Sequence, residues 1–280
     1  MFVIHSFSLH DLTFIILVWL NIFIIFCCFL PHTCTFTLLL FFLFYINDLP
    51  ETIKDTSLPT LFADAVNLIC VQRSLEGLKD DFASVLTKVN RWFQSNSLTL
   101  NLNKTNLVHF TAKLTTNIPD CIKLGQNRLI NSQTINFLGL TLDYTLSWRP
   151  HIAGIGNKLW TACYILRILK PTLTAQNLKT IYFAYFHSIM SYGIIFWGNS
   201  TDNDVIFKLQ KRAIRIMTNS SNKTSCRGLF KELGILPLCS QYILSLVLFV
   251  GKNREDFIIN SEIHPYNTWF NTNLHLPQQG

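Results

Sequence analysis

A chain of 280 residues has room for one large domain or two ordinary ones, and so for a sizeable core. Charged residues make up 14% and apolar residues 49%, with 23 phenylalanines, leaner in charge than the roughly 25% of typical soluble domains. Eight cysteines with neither C-x-x-C pairs nor short Cys/His spacings exclude the usual patterns of a zinc site and read as reduced thiols of a cytosolic or nuclear protein. Residues 1–46 hold ten of the phenylalanines and one charged side chain, Asp11. Residues 47–280 are therefore basic, with 23 Lys and Arg against 15 acids. Such a balance suits a polyanion or an anionic membrane surface and says nothing about fold.

The chain opens with a hydrophobic leader. Nineteen residues beginning at Leu12 and ending at Leu30, "LTFIILVWLNIFIIFCCFL", meet the length criterion for a membrane-spanning helix. With no Lys or Arg before Lys54, the positive-inside rule cannot orient such a span, and the missing basic n-region argues against a signal peptide. The other reading of the run is unselected apolar text from AT-rich flanking sequence, and length alone does not separate the two. Residues 60–63 and 66–71 are short apolar segments either side of Asp64-Ala65, which predicts a tight β-hairpin with the acid in its turn. From residue 74 to 93, Leu75, Leu78, Phe82, Val85, Leu86, Val89, Trp92 and Phe93 follow helical spacing, with Ser74 as N-cap and Glu76 in the first turn. Residues 108–111 and 135–143 read as strands, with Gly139 at a bulge or close backbone approach.

After Pro150 helices take over: residues 155–169; a second capped by Thr174, with Leu178, Ile181, Tyr182, Tyr185 and Ile189 on one face; and residues 204–217. On the third, Lys208, Lys211, Arg212 and Arg215 share one face, while Val205, Leu209, Ala213 and Ile216 share another. A cationic stripe of this kind can contact phosphates without reading sequence, or can be a plain solvated face. The tail "HPYNTWFNTNLHLPQQG" has no periodicity. The expected class is α+β. The divisions are a leader over residues 1–46, an α+β part over 47–150, a helical part over 151–250 and an irregular tail over 251–280.

Five stretches in order, "FYINDLP", "LFADA", "VNRWFQSNSLTLNLNKT", "FLGLTLDYTLSWRPHI" and "FHSIMSYGIIFWGN", resemble the reverse transcriptase of non-LTR retrotransposons, jockey-like elements especially. "LQKRAIRIMTNSS", "LFKELGILPL" and "IHPYNT" extend the resemblance, which runs from about residue 40 to the end. It implies a partial polymerase palm, an antiparallel sheet with helices, followed by a helical thumb. It also implies Mg²⁺ as cofactor and RNA or an RNA–DNA hybrid as partner, in the cytoplasm or nucleus. The family's two Mg²⁺ ions activate the primer 3′-hydroxyl and stabilise the departing pyrophosphate, and carboxylates from two separate strands must converge to hold them.

Asp64 matches the first Asp of the family's F/Y-A-D-D hairpin, but the second is Ala65 here. The upstream carboxylate falls in the leader, where the sole acid, Asp11, matches no part of the family's strand motif. Residues 31–42 keep a proline of the preceding loop and neither of its glycines. Lys104 matches the lysine placed near the incoming nucleotide, where a cation neutralises the leaving pyrophosphate. Phe137, Leu138 and Gly139 match the hairpin that grips the primer end. The expectation is a 5′-truncated, degenerate copy that does not polymerise, with a palm sheet left unprotected where its upstream strand is missing. Two alternatives are a non-catalytic nucleic-acid-binding remnant and a single-pass membrane protein anchored by residues 12–30.

Overall fold

The computed structural model describes residues 14–23, 44–62, 65–72, 74–100, 105–110, 121–124, 127–263 and 273–274, and divides the chain after Ser147 into two compact units. The first is built on a five-stranded antiparallel sheet. Strands β2 (Leu58–Phe62) and β3 (Ala65–Gln72) form the expected hairpin, pairing Phe62 with Ala65. Next to β3 lies β1 (Phe14–Phe23), which pairs on its other side with β5 (Asn106–Phe110) and, at its end, with the short β4 (Thr99–Leu100). A hairpin of β6 (Cys121–Leu124) and β7 (Asn127–Ile130) stands apart from this sheet.

Strand β1 corrects two expectations. Residues 14–23 are a strand and not part of a membrane-crossing helix, and they fill the place where an unprotected edge was expected. The physical reason is that a strand in a sheet covered on both faces carries the same near-continuous apolar run as a span. This run is rich in Ile, Val and aromatic residues, which favour strands. Residues 12–13 and 24–30 lie outside the described residues. Among the described residues no single helix is long and apolar enough to cross a membrane, and one pair bent by 48°, Cys226–Leu233 with Leu238–Lys252, meets the length and composition test together.

One face of the sheet is covered by α1 (Leu49–Ile53) and α2 (Leu75–Ser95). Ser74 caps α2 as its sequence predicts, its Oγ accepting from the Gly77 N–H at 3.1 Å. The α2 stripe of Leu78, Phe82, Val85, Leu86, Val89 and Phe93 packs on Val66, Leu68, Cys70 and Leu107 of the strands, with Ile46, Leu49 and Ile53 completing the core. Trp92 donates its Nε1–H to Asp48 at 3.3 Å, which ties the "FYINDLP" stretch to the "RWF" of α2. The other face carries Val108, Phe110 and Ile135, with Ile69, Phe137 and Leu142 packed against them.

Residues 135–143, read as strand from their pattern and as a hairpin from the family resemblance, form a hairpin of β8 (Thr134–Phe137) and β9 (Leu140–Asp143). Its two-residue loop, Leu138 and Gly139, has φ of 46° and 81°. Both positions being left-handed matches the twist of tight hairpins, so Gly139 marks a turn and not a bulge. At the end of β9, buried Asp143 accepts from Thr145 Oγ1 and from the backbone N–H and Oγ of Ser147, fixing the chain's exit from the hairpin.

The second unit is helical: α3 (Arg149–Leu169), α4 (Ala175–Ile181) running through a π-helical turn (Tyr182–His187) into α5 (Ser188–Ser191), α6 (Ile194–Trp197), α7 (Asp204–Thr218), α8 (Cys226–Leu233) and α9 (Leu238–Lys252). Thr174 caps α4 through its Oγ1. The buried row of this segment is Leu178, Tyr182, Phe186 and Met190, not the expected row through Tyr185 and Ile189. A π-helical turn takes more residues than an α turn, so a spacing of four stays in line where a 3.6-residue period would drift. Gly198 is required by close approach, since a Cβ there would lie 2.6 Å from the Ile194 carbonyl oxygen and from Tyr242 Cδ2. Beyond α9, a 3₁₀ turn (Arg254–Asp256), the four-residue α10 (Asn260–Ile263) and an Ile259–Leu274 bridge add order to a stretch expected to be irregular, while the rest of the tail lies outside the described residues.

Candidate nucleic-acid and metal site

The hairpin of β2 and β3 is in place, with Phe62 and Ala65 as its last paired residues. Asp64 and Lys104 themselves lie outside the described residues, so their surroundings carry no statement. The neighbouring register is informative. Asn21 of β1 pairs directly with Ala65, the chain neighbour of Asp64. Neither of these two paired positions carries an acid. Strands β1 to β5 contain no Asp or Glu at all. Among the described residues no group of three His, Cys, Asp or Glu side chains comes together as a metal site. Mg²⁺ demands several hard, anionic oxygens in near-octahedral array, and the strands of this sheet contribute no carboxylate. That β1 runs beside the hairpin is not legible in the sequence, where position 21 is Asn and the apolar run fits a membrane span equally well.

Phe137, Leu138 and Gly139 form the tip of the β8–β9 hairpin, with Phe137 packed on the Val108 and Ile135 cluster. The backbone at the tip is held by the left-handed pair Leu138 and Gly139.

Lys208, Lys211, Arg212 and Arg215 all lie on α7, but they are not equivalent. Lys208 is exposed. Lys211 Nζ stands 4.5 Å over the Phe207 ring, and the Arg212 guanidinium 5.5 Å over Trp160 of α3. Arg215 donates from Nε and Nη2 to the Thr224 carbonyl at 3.0 and 2.9 Å, closing the loop to α8. The buried face is Ile206, Gln210, Ala213, Ile214 and Met217, whereas Val205, expected on the apolar face, is exposed.

Sequence reasoning passed over Gln210 inside "LQKRA". It is fully buried and satisfied: Nε2 donates to Tyr182 Oη at 3.0 Å and the Leu236 carbonyl at 2.9 Å, and Oε1 accepts from the Leu238 N–H at 2.9 Å. One side chain thereby joins α7, the π-helical turn and the start of α9. Burial, outweighing the Gln210 hydrogen bond, pushes the Tyr182 hydroxyl up to about 12. Burial raises the thiols of Cys70 and Cys163 to about 12 and about 11. Both are free, as are Cys226 and Cys239 among the described residues.

The chain is similar in sequence to proteins described as transposon-encoded RNA-directed DNA polymerases. Two proteins of Drosophila melanogaster carry the likeness. The chain is 27% identical over 183 residues to one described as a probable RNA-directed DNA polymerase from transposon BS, covering 62% of this chain and 20% of that protein. It is 24% identical over 187 residues to one from transposon X-element, covering 64% and 20%. The chain thus spans about a fifth of the length of the curated relatives it matches. No protein-family model matches it, and no solved structure does.

Proposed function

We propose that this chain is a catalytically silent reverse-transcriptase remnant, a palm-like first unit and a thumb-like second one, that retains the ability to hold RNA or an RNA–DNA hybrid. The observation that supports the silence is the sequence at the hairpin: Ala65 stands where the second acid of the motif is expected, and strand β1, whose Asn21 pairs with Ala65, holds no acid. An under-neutralised and misplaced metal pair costs an in-line displacement large factors, because the reaction depends on positioning. Asp64 and Lys104 are then leftovers of the nucleotide site, and Mg²⁺ is not held productively. Leu138 and Gly139 keep the form of a primer-gripping tip without a reaction to serve.

Binding rests on Lys208, Lys211, Arg212 and Arg215, whose phosphate contacts would be non-specific and salt-dependent. The test is primer extension on an RNA template with Mg²⁺. No extension is expected. Extension that Asp64→Asn abolishes would overturn the reading of silence, and failure to bind a hybrid duplex at low salt would overturn the reading of retained binding.

A further inference from the structure

Helix α3 presents an outward row that the core does not explain. Trp160, Tyr164 and Ile168, four residues apart, are 53%, 53% and 54% exposed, while the opposite face of the helix, from Ile152 through Leu166, is buried. Large apolar side chains scattered singly on a surface need no explanation, but three aligned along one helix face do. The charge around them is of one sign. Helix α3 contains Arg149, Lys158 and Arg167 and no acid, and on the neighbouring α7 the sole acid is Asp204 in its first turn. Arg212 of α7 reaches across to lie over the Trp160 ring. Arg167 and Arg212 are both near enough to Cys163 to favour its thiolate against the burial that dominates it.

We propose that this row binds single-stranded nucleic acid, with bases stacking on Trp160 and Tyr164 and phosphates contacting Arg167 and Arg212. The inference rests on the nucleic-acid-binding reading above and adds a second, aromatic surface to it. Exposed rings flanked by cations are the two components of a sequence-tolerant single-strand site, the rings offering stacking faces and the cations tracking the backbone. Spacing selects the single strand over the duplex. Residues four apart on a helix are separated by about 6 Å, nearly twice the roughly 3.4 Å rise of stacked bases. A drawn-out strand with separated bases meets that interval, whereas in a duplex the base faces are already covered by their neighbours. An acidic protein partner would satisfy the cations but gives no role to rings spaced in this way.

The experiment is fluorescence anisotropy of the full chain with a labelled 20-nucleotide oligothymidylate, which cannot self-pair, and with a blunt duplex of the same length. Oligothymidylate binding is expected to weaken by about tenfold or more in the Trp160→Ala, Tyr164→Ala double variant, since each stacked base is worth about fivefold or more and two are lost. Duplex binding should change little, and Tyr164→Phe should keep the affinity because the ring is retained. Arg212→Gln should lower the slope of log affinity against log salt by about 0.7. Because the rings are half exposed, the double variant is expected to keep the parent's thermal midpoint, which circular dichroism checks.

Unchanged oligothymidylate affinity in a folded double variant overturns the proposal. If Lys208→Ala, Lys211→Ala still weakens duplex binding in that case, the α7 reading survives alone. Loss of oligothymidylate and duplex binding in equal measure overturns the single-strand assignment. Binding to phosphatidylserine vesicles that the oligonucleotide does not compete away would assign the row to a membrane surface instead.

Discussion

The five-stranded sheet and the helical unit treat polar side chains in opposite ways. Strands β1 to β5 hold no Asp, Glu, Lys or Arg, and buried Asn67 in β3 makes one hydrogen bond, from Nδ2 to the Thr60 carbonyl, while its Oδ1 has no partner. Helix α7 buries Gln210 with its amide groups engaged three times and carries four cations along its flank. The difference separates residues that folding needs from residues that only chemistry needs. A metal carboxylate at the end of a sheet repels its neighbours when the metal is absent, so its loss relieves the fold. A buried amide bridging three elements cannot be lost in the same way, because its partners would be left buried and unpaired.

The sharpest test of that contrast is Gln210→Leu. It strands the Leu236 carbonyl, the Leu238 N–H and the Tyr182 hydroxyl, and at about 1–3 kcal/mol for each unsatisfied buried group the unit is expected to lose about 4 kcal/mol. A urea titration followed by circular dichroism reads this. A loss below about 1 kcal/mol would mean that the network is ornamental and that the two units differ less than proposed.

Restoring acids to the sheet probes the other half. Asn21→Asp with Ala65→Asp puts two carboxylates on directly paired positions next to Asp64. The variant is expected to be destabilised by about 2 kcal/mol through like-charge repulsion. Millimolar Mg²⁺ should then raise its melting temperature while leaving the parent's unchanged, since binding at a hundredfold excess over Kd stabilises by about 2.7 kcal/mol. If Mg²⁺ has no effect on the variant, position 21 does not face the hairpin site. A smaller change, Ser74→Ala, removes the cap of α2 and should cost about 1 kcal/mol in the first unit.

Much of this was legible because the motifs are largely packing residues. Ile46 and Leu49 of "FYINDLP", Trp92 and Phe93 of "NRWF", and Phe186, Met190 and Trp197 of "FHSIMSYGIIFWGN" are buried. Burial requires such residues to be apolar and at helical spacing, which is why helix α2 and its cap could be read directly. Strand β1 was hidden because a length criterion does not distinguish a doubly paired strand from a membrane span. The Leu138–Gly139 turn came only through the family resemblance and not from the residue pattern, because a leucine gives no sign of a left-handed backbone. The π-helical turn shifted the buried face of its helix by a residue, and no 3.6-residue template anticipates that.

Among the described residues each unit also buries one histidine, and the two should respond alike to acid if both are held by burial alone. His109 in β5 is 4% exposed and His151 in α3 is 3% exposed. Burial lowers the pKa of both, and for His151 the Lys158 charge lowers it further. In the unfolded chain the same groups titrate near their ordinary value of about 6.5. The unfolded state therefore takes up protons first as pH falls, and stability, complete above about pH 6.5, declines as pH drops from there toward the folded-state values. Urea midpoints are expected to be lower at pH 5.5 than at pH 7.5. His109→Gln and His151→Gln should each remove part of that dependence, and because Lys158 acts on His151 alone, Lys158→Met should flatten the second unit's share while leaving the first's intact. If Lys158→Met leaves the pH dependence unchanged, burial is the whole cause in both units and the electrostatic asymmetry between them does not extend to their buried imidazoles.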